Sequence, residues 1–381
     1  MTERSRAPFA YDRKSLLTGG EPVPGPCTGV PHETEEDAVA RSRRPTLADI
    51  ARRTGFSVPT VSMALNDKPG SRIADSTAKL IKEAAAELGY VADATARSLR
   101  TGRTATIGFI SDEVTVTRFA AGMLRGLLET AEQRDHSVMI AEVDHHPERI
   151  ARALGILRSH RVDGVVLGMM TGREIALPAP EGAEARIVLN GISEGWPAVG
   201  PDEFPAGQAA VRHLLERGHR RIALIGRHPE RALPSVSTNI PVRLDGIDDA
   251  MAEAGLRFTA EHHGDVWEPE LGFRGAHAVL DAAPDTTAIL AVNDRVAFGV
   301  LQAAAERGLR VPADLSLISF DDEELATMVR PQLTTLRLPY REMGEVGAGM
   351  LLDAVTSGAA LPAERTLLPL ELIERDTVQT I

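Results

Sequence analysis

The sequence has a single cysteine, Cys27, among 381 residues. One cysteine cannot form a disulfide within a chain, so we expect a reducing compartment, the cytoplasm. The sequence has no run of eighteen apolar residues, which argues against a membrane, and its first residues lack the apolar core of a secretion signal. The glycine-rich fingerprints that bind phosphates and dinucleotides are also missing, so the sequence indicates no cofactor.

Basic residues are in deficit overall, but the charge is unevenly distributed. The chain has 42 Lys and Arg against 54 Asp and Glu, a net charge of −12 that by itself argues against a nucleic-acid partner. Residues 41–104 nevertheless contain twelve basic and six acidic residues. A small basic segment joined to a strongly acidic remainder indicates a compact module that binds a polyanion.

The spacing of apolar residues divides the chain into segments. Residues 1–43 contain five prolines and no apolar period, so we expect a disordered extension. Three helical patterns follow, Leu47–Thr54, Val58–Leu65 and Asp75–Leu88. From residue 105, short apolar strands alternate with amphipathic helices in two sets, which predicts an α/β fold of two similar lobes with parallel sheets. The predicted strands are Thr106–Ile110, Ser137–Val143, Gly164–Met169, Arg186–Asn190, Arg221–Gly226, Ala288–Val292 and Leu315–Phe320.

The stretch PTLADIARRTGFSVPTVSMALND has the pattern of two short helices joined by a glycine turn. Thr46 and Asp49 have the spacing of a capping box, and Ser57 can cap the second helix. Gly55 supplies the turn, and Pro59 falls in the first turn of the second helix, where its missing N–H costs little. The spacing predicts a helix-turn-helix, although an ordinary corner between two helices shares it. Three apolar residues would close a small core there: Ile50, Phe56 and Val61.

Further motifs follow in order along most of the chain: AAAELGYVADATARSLRTGRTATIGFI, RVDGVVL, HLLERGHRRIALIG, AVNDRVAFGVLQA, VPADLSLISFDD and PQLTTLRLP. From Thr46 to Gly344 the sequence resembles the lactose-repressor (LacI/GalR) family of transcription regulators. The resemblance implies a three-helix helix-turn-helix DNA-binding domain at residues 44–91, then a hinge helix and linker at 92–104. A two-lobed, periplasmic-binding-protein-like domain for effector binding and dimerisation would occupy 105–375, followed by a tail at 376–381.

The resemblance also implies a function. We expect a homodimer that binds a palindromic, double-stranded operator DNA and represses carbohydrate-use genes. A small-molecule effector, a sugar or related metabolite, would bind between the two lobes and change the affinity for the operator.

By the same resemblance, the second helix lies in the major groove of the operator. Val58, Pro59 and Met63 occupy the positions that face base edges, and their side chains cannot form bidentate hydrogen bonds. We therefore expect contacts with thymine methyl groups and recognition of groove shape, although Val58 and Pro59 could simply pack against the backbone. Neighbouring residues would donate hydrogen bonds to phosphates: Thr46, Leu47, Ser57, Thr60, Ser62, Asn66 and Tyr90.

The segment DATARSLRTG resembles the family's hinge helix, which becomes ordered on the operator. The resemblance implies that Ala96 enters the minor groove, that Leu99 inserts between base pairs and that Arg97 supplies positive charge. The alternative is an ordinary charged linker.

For the effector, the resemblance implies a site at the carboxyl ends of the strands. Arg243 would contact effector oxygens, and Asn293 and Asp321 would bind hydroxyl groups. Trp267 and Phe320 offer apolar faces for a sugar ring, although Trp267 could instead belong to the core. The expected site also includes Asp112, Arg118, Phe119 and Asp202. Among these, Arg118 hints at an anionic effector.

Two patterns suggest other chemistry. The motif GISEG fits the nucleophile elbow of hydrolases, but Pro197 and Pro201 forbid the helix that must follow Ser193. Paired histidines at 145–146 and 262–263 lack the spacing of metal ligands. We therefore expect no catalytic residue and no metal-binding residue. The alternative function is a two-lobed sugar-binding receptor, which would need a secretion signal and would have no use for residues 46–104.

Overall fold

The structure is a computed structural model that describes residues 45–66, 73–90, 102–118, 120–178, 185–227, 233–361 and 364–381. The chain divides into two compact units, Met1–Ala92 and Asp93–Ile381. The extension predicted at residues 1–43 lies outside the described residues, as do the hinge residues Ala96, Arg97 and Leu99 and the effector residue Phe119.

The first unit contains three helices, α1 (Leu47–Thr54), α2 (Val58–Leu65) and α3 (Asp75–Glu87), within one residue of the predicted bounds. At the start of α1, the Asp49 carboxylate accepts hydrogen bonds from the backbone N–H (2.8 Å) and the hydroxyl (2.6 Å) of Thr46. These two bonds, the hydroxyl first, lower the pKa of Asp49 to about 2. The predicted capping box is thus present.

The turn between α1 and α2 is made by Gly55, whose φ of 76° lies in the left-handed region that favours glycine. The predicted miniature core is also present, with Ile50 and Val61 fully buried and Phe56 packed at its edge. The remaining buried core residues are Ala64, Ile81, Ala84 and Ala85. Since α2 gives Val61, Ala64 and the partly buried Leu65 to this core, the rest of its surface is left for other contacts.

The second unit contains two six-stranded sheets, one in each lobe, and confirms the predicted α/β fold. The strands are β1 Thr106–Asp112, β2 Ser137–Glu142, β3 Gly164–Met169, β4 Ala185–Leu189, β5 Ala198–Asp202, β6 Ile222–Arg227, β7 Glu261–His263, β8 Ala288–Ala291, β9 Ser316–Asp321, β10 Thr334–Arg337, β11 Thr366–Pro369 and β12 Glu371–Ile373. The strand order is β11-β5-β4-β3-β1-β2 in the first lobe and β12-β10-β9-β8-β6-β7 in the second. Neighbouring strands are parallel except β12, which runs antiparallel to β10.

Helices cover both sheets, as the apolar strands require. The helices are α4 Ala121–Gln133, α5 Pro147–Ser159, α6 Glu203–Glu216, α7 Ile240–Glu253, α8 Pro269–Ala282, α9 Asp294–Glu306, α10 Glu324–Met328 and α11 Tyr340–Ser357. The chain passes from the first lobe to the second after β5, returns after β10 to form α11, and crosses again between β11 and β12. α6 packs against α7 in the second lobe, whereas α11 packs against α4 and the first sheet.

The residues expected to form a tail, 376–381, lie against the second lobe. Thr377 is fully buried, and its carbonyl accepts a hydrogen bond from the backbone N–H of Leu317 (2.8 Å). The Ile381 N–H donates to the carbonyl of Arg217 (2.9 Å). None of the helices in the described ranges is long and apolar enough to cross a membrane.

A buried carboxyl group joins α9 to the end of β9. Asp294 is fully buried, and its two oxygens accept hydrogen bonds from the Ser319 hydroxyl (2.5 Å) and the Glu323 backbone N–H (2.7 Å). Burial raises the pKa of Asp294 to about 7, although these hydrogen bonds oppose the shift. The carboxyl group is therefore easier to protonate in the folded chain than in the unfolded chain.

This raised pKa predicts a pH-dependent stability. A raised folded-state pKa stabilises the fold fully below the unfolded value, near 4, and the contribution is lost as the pH rises through about 7. We expect the free energy of unfolding to lose up to about 4 kcal/mol from this group over that range. Urea unfolding at several pH values should show a flatter pH dependence in Asp294→Asn. Asp281→Asn, at a 70% exposed side chain, is the control. The prediction would be contradicted if the free energy of unfolding changed with pH equally in Asp294→Asn and in the unsubstituted chain.

Candidate functional site

The outward face of α2 carries the apolar side chains expected to face DNA bases. Val58 and Met63 are exposed by 42% and 38%, and Pro59 beside them is also exposed. Ser57 caps the helix, since its hydroxyl oxygen accepts a hydrogen bond from the Thr60 N–H (3.3 Å). The small core uses Val61, Ala64 and Leu65 of this helix, and neither Val58 nor Met63 packs against it among the described residues of the first unit.

The residues expected to contact phosphates are all at least partly exposed. Thr46, Ser57 and Asn66 are exposed, and the others are half-buried: Leu47, Thr60, Ser62 and Tyr90. The Asn66 amide donates to the carbonyl of Ser62 (2.5 Å), which closes the C-terminus of α2. Thr46 caps α1 and donates both its N–H and its hydroxyl to Asp49, whereas Leu47 is the first residue of the helix, at the end where backbone N–H groups favour an anion.

A cavity of about 340 Å³ lies between the two lobes of the second unit. Four predicted effector residues from the second lobe line it: Trp267, Arg243, Asn293 and Asp321. The structure adds lining residues that the sequence did not single out for this role: Asn190, Glu203, Ser237, Asn239 and Tyr340. The polar lining comes mainly from the carboxyl ends of strands and from the helices that follow them.

Arg243 forms a buried ion pair with Glu203. Its Nε and Nη2 donate to the two carboxylate oxygens at 2.7 and 2.9 Å, and Nη1 donates to the carbonyl of Val292 at 3.1 Å. The side chains of Arg243 and Glu203 are 3% and 2% exposed. Burial alone would lower the pKa of Arg243, but the Glu203 carboxylate more than compensates and raises it. The guanidinium carbon lies 4.3 Å from the centre of the Phe320 ring.

Two glycines make this ion pair possible. A Cβ on Gly207 of α6 would lie 2.2 Å from the Arg243 carbonyl oxygen, and a Cβ on Gly246 of α7 would lie 2.1 Å from that of Phe204. The α6 and α7 backbones can therefore approach closely just where Glu203 and Arg243 face each other. Larger residues at these glycines would force the helices apart.

Asp321 ends β9 at the cavity. The structure shows no hydrogen bond from any described residue to its carboxylate, which leaves the oxygens as acceptors for a ligand. Burial raises the pKa of Asp321 well above its ordinary value, Arg243 opposes the shift, and the acidic groups of Asp294 and Glu323 reinforce it. A ligand that donates hydrogen bonds would satisfy this carboxyl group.

Asn293 and Trp267 are held in place by their own hydrogen bonds. The Asn293 side-chain oxygen accepts from the Val296 N–H (2.8 Å) and caps α9, while its amide donates to the carbonyl of Trp267 (3.3 Å). The Trp267 indole N–H donates to the carbonyl of Gly226 (2.9 Å). Trp267 therefore offers a ligand mainly the apolar surface of a fixed ring.

Hydrogen bonds join the two lobes beside the cavity. The Asn239 amide donates to the Asn190 side-chain oxygen (2.7 Å), and Arg365 donates to the Asn239 side-chain oxygen (3.0 Å). Two backbone bonds lie nearby, from the Thr238 N–H to the carbonyl of Gly172 (2.7 Å) and from the Glu174 N–H to the carbonyl of Pro234 (2.9 Å). We call these bonds the interlobe clasp.

The other expected effector residues do not line this cavity. Asp112 is buried within the first lobe, where its carboxylate accepts hydrogen bonds from Arg173 (2.6 Å) and from the His145 backbone N–H (2.7 Å). Asp202 ends β5 one residue before Glu203, which is the residue that reaches the cavity. Phe320 is fully buried under Arg243.

Arg118 lines a second, larger cavity of about 790 Å³, which also reaches Asp321 and Tyr340. Its side chain is 84% exposed and forms an ion pair with Glu324 (3.1 Å). Tyr340 lines both cavities, and its hydroxyl donates to the carbonyl of Met170 (3.1 Å). Arg118 is thus not among the residues that surround Arg243.

Two of the missed residues carried a signal in the sequence. Asn190 ends a predicted strand, as Asn293 follows one, so the same rule could have included it. Glu203 directly follows Asp202 in the motif VGPDEFPAG, and the choice between them depends on where the strand ends and the helix begins. By contrast, Asn239 lies at the start of α7, and its contact with the first lobe depends on the tertiary arrangement.

The hydrolase motif GISEG does not form a nucleophile elbow. Ser193 is buried, its oxygen accepts a hydrogen bond from the Leu177 N–H (3.3 Å), and the next element is the strand β5. Within the described ranges, no group of three or more His, Cys, Asp or Glu side chains is arranged to hold a metal ion.

Comparisons with known proteins agree with this architecture. Residues 46–93 match the model of bacterial regulatory proteins of the lacI family, and residues 211–378 match that of the periplasmic binding protein-like domain. The HTH-type transcriptional regulator CelR of Thermobifida fusca is 31% identical over 353 residues, which cover 88% of this chain and 99% of CelR.

Two solved structures have the same fold. A crystal structure of the Lac repressor dimer bound to operator and the anti-inducer ONPF is 26% identical, with a TM-score of 0.69 over 88% of this chain and all of that one. A complex of the transcriptional regulator CelR with cellobiose is 27% identical, with a TM-score of 0.57 over 88% of this chain and all of that one. The chain therefore belongs to the lacI family of bacterial regulatory proteins and is a DNA-binding transcription regulator rather than an enzyme.

Proposed function

We propose that this chain is a cytoplasmic, homodimeric repressor of carbohydrate-use genes whose affinity for its operator changes when a sugar or related metabolite binds between the lobes. The observation that carries the proposal is the composition of the interlobe cavity. Asp321 and Trp267 from the second lobe meet Asn190 and Tyr340 from the first. A ligand that contacts both lobes favours one arrangement of them over another, which is the requirement for control by population shift.

The compared proteins support both the sugar effector and the dimeric binding to an operator. CelR is a transcription regulator with a cellobiose complex, and the Lac repressor has been captured as a dimer on its operator. The chemistry of the cavity agrees, since a carboxylate acceptor, an arginine and an indole ring suit hydroxyl groups and a sugar ring.

For the operator, we propose that the apolar face of α2 contacts base edges and that Leu99, with Ala96 and Arg97, acts in the minor groove. The exposure of Val58 and Met63 supports the first part. The second part rests on the resemblance of the segment DATARSLRTG to the family's hinge helix.

For the dimer, we propose that the edge of the first sheet is part of the interface. Val138 of β2 packs under α4, and Ile140, two residues on, faces the same side and is 42% exposed. Leu128 of α4 is also exposed, by 40%. An apolar patch on an edge strand is typical of an association surface.

The proposal predicts sugar-dependent operator binding. Fluorescence anisotropy with DNA fragments from around the chain's own gene should reveal one preferred fragment, bound less tightly as salt rises. A sugar that raises the melting temperature should change the affinity about 5–150-fold, and Trp267→Ala should lose that response while retaining sugar-free affinity. Val116→Ala, at an exposed first-lobe residue, is the control. Failure to prefer any fragment, with or without sugars, would refute the proposal.

The apolar face of α2 predicts recognition of thymine methyl groups. Replacing a contacted thymine by deoxyuracil should weaken binding by about 0.8 kcal/mol, roughly fourfold, because one methyl group loses its apolar contact. In Met63→Ala, the operators with thymine and with deoxyuracil at the position that Met63 touches should be bound with equal affinity. Leu80→Ala, at another exposed residue of the first unit, should retain it. Equal affinities for all thymine and deoxyuracil operators would contradict the interpretation.

The edge patch predicts that Ile140→Asp dissociates the dimer. A buried charge in an apolar interface costs several kcal/mol unless it is paired, so the dissociation constant should rise by at least a hundredfold. Analytical ultracentrifugation measures the change. Leu367→Asp is the matched control, because Leu367 is 48% exposed on β11, at the opposite edge of the same sheet. If both variants dissociate equally, or neither does, the interface lies elsewhere.

A further inference from the structure

The interlobe cavity is lined by more negative than positive groups. Among the described residues that surround it, Arg243 is the sole cation. Its acidic lining residues are Glu203, Asp265, Glu268 and Asp321. Glu268 is paired with Arg295 (3.0 Å), which lies outside the lining, so the attraction of the cavity for an anion depends mainly on how much of the Arg243 charge is still available to a ligand.

The charge of Arg243 is already compensated by its ion pair with Glu203. The carboxylate receives two hydrogen bonds from the guanidinium, at 2.7 and 2.9 Å, in the planar fork geometry in which arginine otherwise binds phosphates and carboxylates of ligands. Both side chains are almost completely buried, so solvent does little to screen the attraction. A second anion at Arg243 would have to displace Glu203 or accept its repulsion.

The hydrogen-bonding capacity that remains suits an uncharged ligand. Of the five N–H groups of the Arg243 guanidinium, three are used by Glu203 and Val292, and the other two can donate to a neutral oxygen. The Asp321 carboxyl group, without a hydrogen-bond donor among the described residues, offers its oxygens as acceptors to the hydroxyl groups of a ligand.

We propose that Glu203 is a specificity-determining residue that makes the interlobe cavity select uncharged, hydroxyl-rich ligands and reject phosphorylated or carboxylated sugars. This inference rests on the proposed function, because it concerns the same effector site. It assigns the selectivity to a residue that acts on the ligand mainly through Arg243.

Inorganic phosphate is a direct probe of an unpaired Arg243, since it needs no knowledge of the effector. By isothermal titration at constant ionic strength, the unsubstituted chain should bind phosphate no more tightly than the double variant Glu203→Gln/Arg243→Gln, which lacks the arginine. Glu203→Gln alone should bind phosphate at least tenfold more tightly than either of these two proteins. Asp202→Asn removes the same charge one residue away without freeing Arg243, so it should behave like the unsubstituted chain.

Two outcomes would overturn the inference. One is Arg243-dependent phosphate binding by the unsubstituted chain, and the other is a folded Glu203→Gln that gains no affinity. If Glu203→Gln alone does not fold, the double variant, which leaves no unpaired charge, serves as the reference. Phosphate binding by the unsubstituted chain must then match that of the double variant, and stronger binding would refute the role of Glu203.

Matched sugars separate this inference from the proposed function. Thermal shifts are compared for glucose with glucose 6-phosphate and for cellobiose with cellobionate. Stronger stabilisation by an anionic member would refute the inference even if operator binding is normal. Conversely, failure to find a preferred operator would refute the proposed function while the phosphate experiment still tests Glu203.

Discussion

The ion pair between Arg243 and Glu203 is the interaction on which the ligand cavity depends. Glu203 is the first residue of α6, directly after the chain leaves the first sheet, and Arg243 lies in the neighbouring helix α7. The pair therefore connects the segment that crosses between the lobes to α7 of the second lobe. It also holds the guanidinium over the Phe320 ring. Because both groups are buried, either would be left as an uncompensated charge without the other.

The sequence predicted most of the fold because its strongest signals are local. The bounds of α1 and α2 follow from caps and from the turn at Gly55, which neighbouring residues determine. The apolar strands were also predicted. The strands β5, β7, β10, β11 and β12 were not, because each contains at most two apolar residues, whereas every predicted strand contains at least three. Pro201 excludes a helix after GISEG, but it is accommodated in β5.

The site was less predictable than the fold. Strand ends correctly indicated that polar residues such as Asn293 and Asp321 would meet, because parallel strands present their carboxyl ends at one edge. The same rule also selected Asp112, which the first lobe uses internally with Arg173. A strand-end position thus indicates proximity to the cleft, whereas the availability of a side chain for a ligand depends on neighbours that are remote in sequence.

The two lobes have separate apolar cores, and the clasp that joins them beside the cavity is polar. The core of the second lobe is formed by residues between 206 and 336, whereas the cores of the first lobe use residues 107–199 and 340–352. A relative movement of the lobes would therefore exchange hydrogen bonds such as Asn239 to Asn190 without opening a core. A typical hydrogen bond contributes about 0.5–1.5 kcal/mol net, and couplings between ligand sites are about 1–3 kcal/mol. A few bonds of this kind are thus of the right size for a metabolite in the cavity to shift the balance between lobe arrangements.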